Sequence, residues 1–100
     1  MQVRVLPVTD RHSAAAQGLV EELRAARVRA EAVGTEDSIS KRVRNAEVER
    51  VPWVVVLGDK EVSDGSVALR VRGSRETRSF SRAEFLTYAT DRIRRREFDP

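Results

Sequence analysis

Apolar and polar positions along the chain follow periods that mark its elements. Val3-Arg4-Val5-Leu6-Pro7-Val8 is rich in β-branched residues and predicts a strand. Thr9 or Asp10 is placed to cap a helix. Behind them Ala16, Leu19, Val20, Leu23 and Ala26 recur at steps of three and four, giving one apolar stripe with Glu21, Glu22 and Arg24 facing away. Val28, Ala30 and Ala32 then alternate with Arg29 and Glu31, a short strand that reaches Val33. Gly34 and Thr35 turn the chain. Residues 37–49 predict a second helix with Ile39, Val43 and Ala46 on its inner face and Lys41, Arg42 and Arg44 on its outer one.

Pro52 ends that helix and opens Trp53-Val54-Val55-Val56-Leu57, whose unbroken apolar character predicts a central strand buried on both faces. Gly58-Asp59-Lys60-Glu61 reads as a turn, and Asp64-Gly65 as a hairpin signal. Ser66 to Arg72 follows as a strand, with Val67, Leu69 and Val71 on one face and Ala68, Arg70 and Arg72 on the other. Gly73-Ser74 turns again, and residues 76–80 return as a short edge strand. Ser81 to Glu84 fits a capping box for a last helix that runs to about Glu97, with Phe85, Leu86, Ala89 and Ile93 inward. The order β-α-β-α-β-β-β-α predicts an α/β domain whose sheet is mixed, parallel at the start and antiparallel after the central strand.

Length changes little in this picture: 100 residues make one domain, residues 1–100, with a single core. There is no Cys, which excludes disulfides and thiolate metal sites. No apolar run approaches the ~20 residues that span a bilayer. No targeting segment is evident, so the cytoplasm is the expected compartment.

Charge changes more. Of the 19 basic residues only Lys41 and Lys60 are Lys, and the rest are Arg, the side chain suited to phosphate and base-edge contacts. Genome composition gives the same bias. The formal net charge of +3 conceals clusters. Arg70, Arg72, Arg75, Arg78 and Arg82 are offset by Glu76 alone, and Arg92, Arg94, Arg95 and Arg96 have no acid between them. A basic stripe on a balanced background is the footprint of a polyanion partner. A solvated surface with a frayed C-terminal tail is the plain alternative, and for Arg92–Arg96 it is the favoured one.

Catalytic chemistry is not evident. His12 is the single histidine and is expected at the surface. There is no nucleophile elbow, no Gly-x-Gly-x-x-Gly and no phosphate loop. The sequence points to binding. Open α/β sheets take ligands beyond the carboxyl ends of their strands, and Arg50, Lys60 and Glu61 flank the central strand while Arg70 lies on its neighbour. A carboxylate among arginines repels phosphate, but it accepts the N–H donors of guanine, and arginines donate to base acceptors or stack on bases. A surface salt bridge among Glu61, Arg70 and Arg50 uses the same residues.

Those residues sit in recognisable surroundings. Val51-Pro52-Trp53-Val54-Val55-Val56-Leu57-Gly58-Asp59-Lys60-Glu61-Val62, followed by Gly65 to Arg72, closely resembles the C-terminal anticodon-binding domain of class II aminoacyl-tRNA synthetases. The Val-Pro-aromatic strand followed by Gly-Asp-Lys-Glu is specific for the threonyl branch and its near relatives; the prolyl, histidyl and glycyl enzymes match more weakly. Gln2 to Asp10 is similar to the family's first strand and Ser40 to Glu47 to its second helix. The resemblance runs from about Gln2 to about Ile93.

The resemblance implies a three-layer domain with a five-stranded mixed sheet and three helices, the fold of that family. It implies a function: to grip the anticodon stem-loop of threonine tRNA and read guanine and uracil at its second and third positions. It implies base contacts at Arg50, Glu61 and Arg70. Phosphates would then dock on Lys41, Arg42 and Arg44 and along Arg70–Arg82 with Arg72, and Lys60 would orient its turn or meet phosphate. The loop before the second helix departs. The family has Arg-Asn-Glu-Lys-hydrophobic-Gly there, with the asparagine helping at the anticodon; this chain has Glu36 at that position, with Thr35 and Ser38 as substitute hydrogen-bonding groups. No class II catalytic motif is present. The expected partners are tRNA and the catalytic domain of a parent threonine–tRNA ligase. No cofactor is expected in this domain; ATP, magnesium and a catalytic zinc would serve the parent enzyme elsewhere. The isolated domain is expected to be a monomer. The Arg-rich end and Asp99-Pro100 fit a natural C-terminus. A stand-alone accessory protein that kept the fold, binding RNA loosely or docking on a synthetase, is the rival reading. A metabolite-binding α/β domain is a second rival that the missing phosphate loop disfavours.

Overall fold

Trp53 to Leu57 carries the apolar run that sequence placed at the centre, and it occupies the middle of the sheet. A computed structural model describes residues 2–72 and 77–95, without the side chains of Gln2 and residues 93–95. In chain order the elements are β1 (Gln2–Pro7), a 3-10 turn (Asp10–His12), α1 (Ser13–Ala25), β2 (Arg29–Ala32), α2 (Ile39–Val48), β3 (Trp53–Leu57), α3 (Asp59–Asp64), β4 (Ser66–Val71), β5 (Thr77–Ser81) and α4 (Arg82–Arg95). The expected turn at Gly73-Ser74, with Arg75, Glu76, Arg96 and the last residues, lies outside the described residues, as do the side chains of Ile93, Arg94 and Arg95.

The sheet order is β2-β1-β3-β4-β5. β1 pairs in parallel with β2 and β3, and β4 runs antiparallel to β3 and β5. The two crossovers move in opposite directions across the sheet, so a common hand puts α1 and α2 on opposite faces. On one face α1 and α4 bury Val3, Val5, Trp53, Val55, Val67, Leu69 and Phe85. On the other α2 covers Leu6 and Val54 with Ala46. The expected three-layer α/β fold with its mixed five-stranded sheet is therefore present. One expectation changes: residues 59–64 form a short helix rather than a turn, so Gly65 is not a hairpin corner but the left-handed C-terminal residue of α3, at φ 69°. The Ser81–Glu84 capping box stands as expected, with the Glu84 amide donating to Ser81 Oγ at 3.1 Å and the Ser81 amide to Glu84 Oε1 at 3.0 Å.

Two buried cations were not expected. Arg4, on the α2 face of β1, meets Glu49 through both terminal nitrogens at 3.0 and 3.1 Å and Glu31 through Nε at 2.9 Å. The Glu49 hydrogen bonds hold the Arg4 guanidinium above its ordinary pKa, and Arg4 in turn holds the Glu49 carboxyl below the usual range. Arg42 corrects a specific expectation. It does not face outward for phosphate: it is 3% exposed and donates to the carbonyls of Pro7 at 2.5 Å, Val8 at 3.1 Å and Asp37 at 3.1 Å. Helical spacing explains it, since position 42 lies three residues after Ile39 and four before Ala46, at the centre of the inner stripe.

Replacing Arg42 leaves those carbonyls buried without donors. Arg42→Ala is expected to cost about 3 kcal/mol of folding free energy, measured by urea denaturation. A loss under about 0.5 kcal/mol, the range of ordinary surface changes, contradicts a structural role for this side chain.

Candidate nucleic-acid interface

β4 and β5 extend the sheet past α2, and the cross-strand pairs decide what they show on that face. Arg70 pairs with Val54 and Ala68 with Val56, so Arg70 and Ala68 lie on the α2 side of the sheet. Val54 and Val56 are covered by the α2 layer, whereas Arg70 is only half-buried. Its guanidinium lies 3.4 Å from Glu47 of α2. Between α2 and β4 an open groove of about 440 Å³ is lined by Ile39, Ser40, Val43, Arg44, Glu47 and Arg70.

The residues expected to read bases occupy two stations, not one. Arg50 is exposed at the amino end of β3, two residues past the end of α2, in the left-handed conformation at φ 59°. The Arg50 amide donates to the Glu47 carbonyl at 3.1 Å and the Val51 amide to Ala46 at 2.9 Å, which closes the helix. Arg72 joins this end, its amide donating to the Pro52 carbonyl at 2.7 Å while its side chain is exposed. Glu61 is at the other end of β3, on α3. At ~3.3 Å per residue a strand of this length separates the two ends by roughly 15 Å. The triangle of Glu61, Arg50 and Arg70 considered from sequence is not the pairing seen, since Arg70 meets Glu47 instead.

α3 owes its position to a contact between helix starts. His12 was expected at the surface but is 3% exposed. Its Nδ1 accepts from the Thr9 amide at 3.2 Å, which leaves the proton on Nε2 to reach Asp59 Oδ1 at 2.6 Å. That hydrogen bond, reinforced by the nearby charge of Arg11, holds the Asp59 carboxyl below the usual range. Nothing local in the sequence marked this pair, because the partners stand 47 residues apart. Two residues further on, Glu61 is half-buried and accepts from the Gly58 amide at 2.8 Å through Oε1. It lines a small cavity of about 100 Å³ together with Leu19, Leu57, Ser66 and Arg82. Lys60, beside it, is exposed.

The supporting cations divide. Lys41 and Arg44 are exposed on α2, Lys41 within 3.3 Å of Asp37. In the loop before α2, Glu36 is exposed and its carboxylate folds over Gly34, where an added Cβ would stand 2.8 Å from Oε2. The two hydroxyls considered as substitutes are committed within the fold: Ser38 Oγ accepts from the Lys41 amide at 3.2 Å, and the Thr35 hydroxyl donates to Asp10. On the other face Arg78 lies 5.3 Å from the Phe80 ring centroid, and Arg92 lies 4.8 Å from that of Tyr88, which stacks on Trp53 at 5.3 Å. Among the described residues no three His, Asp or Glu side chains converge to hold a metal ion, and no described helix is long and apolar enough to cross a membrane.

Comparison with known proteins follows the same lines. Residues 2–92 match the family model described as an anticodon binding domain. A threonine–tRNA ligase of Campylobacter curvus is 40% identical over 92% of the chain, and the catalytic subunit of a threonine–tRNA ligase of Saccharolobus islandicus is 36% identical over 99% of it. The chain spans 15% and 18% of the length of those relatives. The crystal structure of the RNA binding domain of threonyl-tRNA synthetase from Cryptosporidium parvum superimposes with a TM-score of 0.85 over 90% of this chain and 23% of that one, at 19% identity, and shows the same fold.

Stability is expected to fall in acid. Glu49, Asp59 and Glu84 all have carboxyl pKa values lowered by folding. Their contribution is complete above the unfolded carboxylate values of about 4 and is lost as pH drops through the lower folded ones. Asp59→Asn should flatten the dependence of urea-denaturation stability on pH between about pH 2 and pH 5. An unchanged slope removes Asp59 from this role.

Proposed function

We propose that this chain, which belongs to the anticodon binding domain family, grips the anticodon stem-loop of threonine tRNA as part of a longer threonine–tRNA ligase. The observation that carries this reading is the 40% identity to a threonine–tRNA ligase along 92% of the chain. Arg50 and Arg70 read bases at one station and Glu61 at the other. The separation assigns them to different bases of a splayed loop, the form in which single-stranded RNA presents base edges. Arg donors suit keto oxygens, and the Glu61 carboxylate keeps one oxygen for the Gly58 amide and offers the other to a base N–H. Lys41, Arg44, Arg72 and Lys60 take phosphates, which fix orientation without reading sequence. Arg42 has no part in RNA contact.

Threonine activation and transfer belong to a separate catalytic domain of the longer protein, and ATP, magnesium and a catalytic zinc serve there. This domain works in the cytoplasm, is a monomer when isolated, and contributes affinity and selection. A second reading, an accessory protein that binds RNA loosely, is favoured by the loop before α2, where Glu36 presents a negative charge and the Ser38 and Thr35 hydroxyls are already used.

The test is binding of the chain to a threonine-anticodon stem-loop and to one with the central guanine replaced, at low and moderate salt. The cognate loop should bind more tightly by about tenfold, and the difference should persist as salt rises. Arg70→Ala and Glu61→Gln should each remove much of that preference; glutamine keeps the hydrogen bond to the Gly58 amide, so α3 stays capped. Equal binding to both loops that collapses with salt supports the accessory reading instead.

A further inference from the structure

The small cavity beside Glu61 is bounded by α1, α3, β4 and the first residue of α4. That residue, Arg82, is fixed at both of its ends. Its amide donates to the Gly65 carbonyl at 3.0 Å, where α3 stops, and its side chain forms an ion pair with Glu22 of α1. The guanidinium lies against α1 at Gly18, one turn before Glu22, where an added Cβ would stand 3.1 Å from Nη2. Stability does not account for this arrangement. A half-exposed ion pair contributes little to folding, and glycine is a poor residue inside a helix. What the arrangement does is fix where the rest of the guanidinium lies. Arg82 Nε is buried and has no hydrogen-bond partner among the described residues. A donor taken out of water needs an acceptor. Arg82 lines the cavity together with Glu61 and Ser66, beside the apolar walls of Leu19 and Leu57. At about 100 Å³ the cavity has room for about three water molecules, and its polar residues are enough to order one.

We infer that Arg82 is a positioning residue for Glu61, joined to it through water ordered in this cavity: the water accepts from Arg82 Nε and donates to the Glu61 carboxylate. The inference rests on the base-reading role proposed for Glu61 and adds to it the residue that aims the carboxylate. The Gly58 amide holds Glu61 by one oxygen, and a carboxylate held at one point still pivots about it. A second hydrogen bond from the cavity stops that pivot. The two oxygens have lone pairs enough to keep one for a base N–H. Gly18 and Glu22 on α1 thereby take part in what α3 reads without touching the ligand.

Two measurements on the whole chain test it. In the free protein, the proton–nitrogen NMR signal of Arg82 Nε–H should exchange slowly and show a contact with long-lived water. Glu61→Gln, which keeps the hydrogen bond to the Gly58 amide, should shift that signal. An Nε–H in fast exchange, or one indifferent to Glu61→Gln, overturns the inference. The second measurement is binding to the threonine-anticodon stem-loop and to one with the central guanine replaced. Arg82→Lys keeps a charge for Glu22 but has no donor at the Nε position, and Gly18→Ala crowds the guanidinium out of its place. Each should lower the preference for the cognate loop by about threefold. Neither should lower the urea midpoint, and Gly18→Ala should raise it, because alanine is the better helix former. A merely structural role moves the midpoint and leaves the preference alone. Preference in the unmodified chain that neither variant lowers keeps the anticodon reading and rejects the positioning role. No preference in the unmodified chain, while the Arg82 signal reports the water and follows Glu61→Gln, keeps the water bridge and rejects the anticodon reading.

Discussion

The guanidinium of Arg42 is held out of water with its donors on carbonyls of Pro7, Val8 and Asp37. A cation in that position has no solvent to fall back on, so the three acceptors must keep their places relative to one another. Two of them end β1 and the third begins the turn into α2. The start of α2 is thereby tied to the sheet. Its other end is closed by Arg50 and Val51 and runs straight into β3. A helix fixed at both ends has one angle available, and that angle sets how wide the groove opens toward Arg70. The candidate interface is a consequence of where α2 is pinned.

The partition of charge follows from the same layering. Arg4 and Arg42 point into the α2 layer, and each is matched there, by carboxylates in one case and carbonyls in the other. Taking Arg42 from the surface makes the outer face of α2 less basic than its sequence suggests. The exposed cations are then distributed by position: Lys41 and Arg44 along α2, Arg70 on the open half of the sheet, and Arg50 and Arg72 at the amino end of β3. A polyanion that follows these residues crosses the edge of α2 onto the sheet, and Glu47 lies on its way.

Much of this was legible in the sequence. The unbroken run from Trp53 to Leu57 marked the central strand because burial on both faces leaves no polar position. The Ser81–Glu84 capping box marked the start of α4 because its two hydrogen bonds are local. That Arg70 lies on the face opposite Val67 and Leu69 followed from strand alternation. What escaped was non-local. The periodicity of α2 placed position 42 inward, but a charged residue there reads as an outward one unless its carbonyl partners, 34 and 35 residues away, are known. His12 and Asp59 likewise meet only when β1 and β3 lie side by side. Residues 59–64 read as a turn because α3 is too short for a stripe to declare itself. Its start is fixed by Glu61 reaching back to Gly58, which is why the carboxylate has both a structural oxygen and a free one.

Arg50 adopts a left-handed backbone conformation. A left-handed φ of 59° at a side chain other than glycine or asparagine is uncommon, and such outliers gather at functional sites. Yet Arg27, after α1, has φ 67° in the same position relative to its helix. Both close a helix whose last carbonyls need donors, and in both the following valine turns back into the core. The conformation therefore answers to helix termination, and it carries no functional information by itself. Arg50 differs from Arg27 in what surrounds it. The strand it leads into pairs with Arg70 and Arg72 on the open side of the sheet, whereas Arg27 sits between α1 and β2 at the opposite edge. Placement, set by sheet order, separates an arginine that only ends a helix from one that also stands beside the exposed cations of β4.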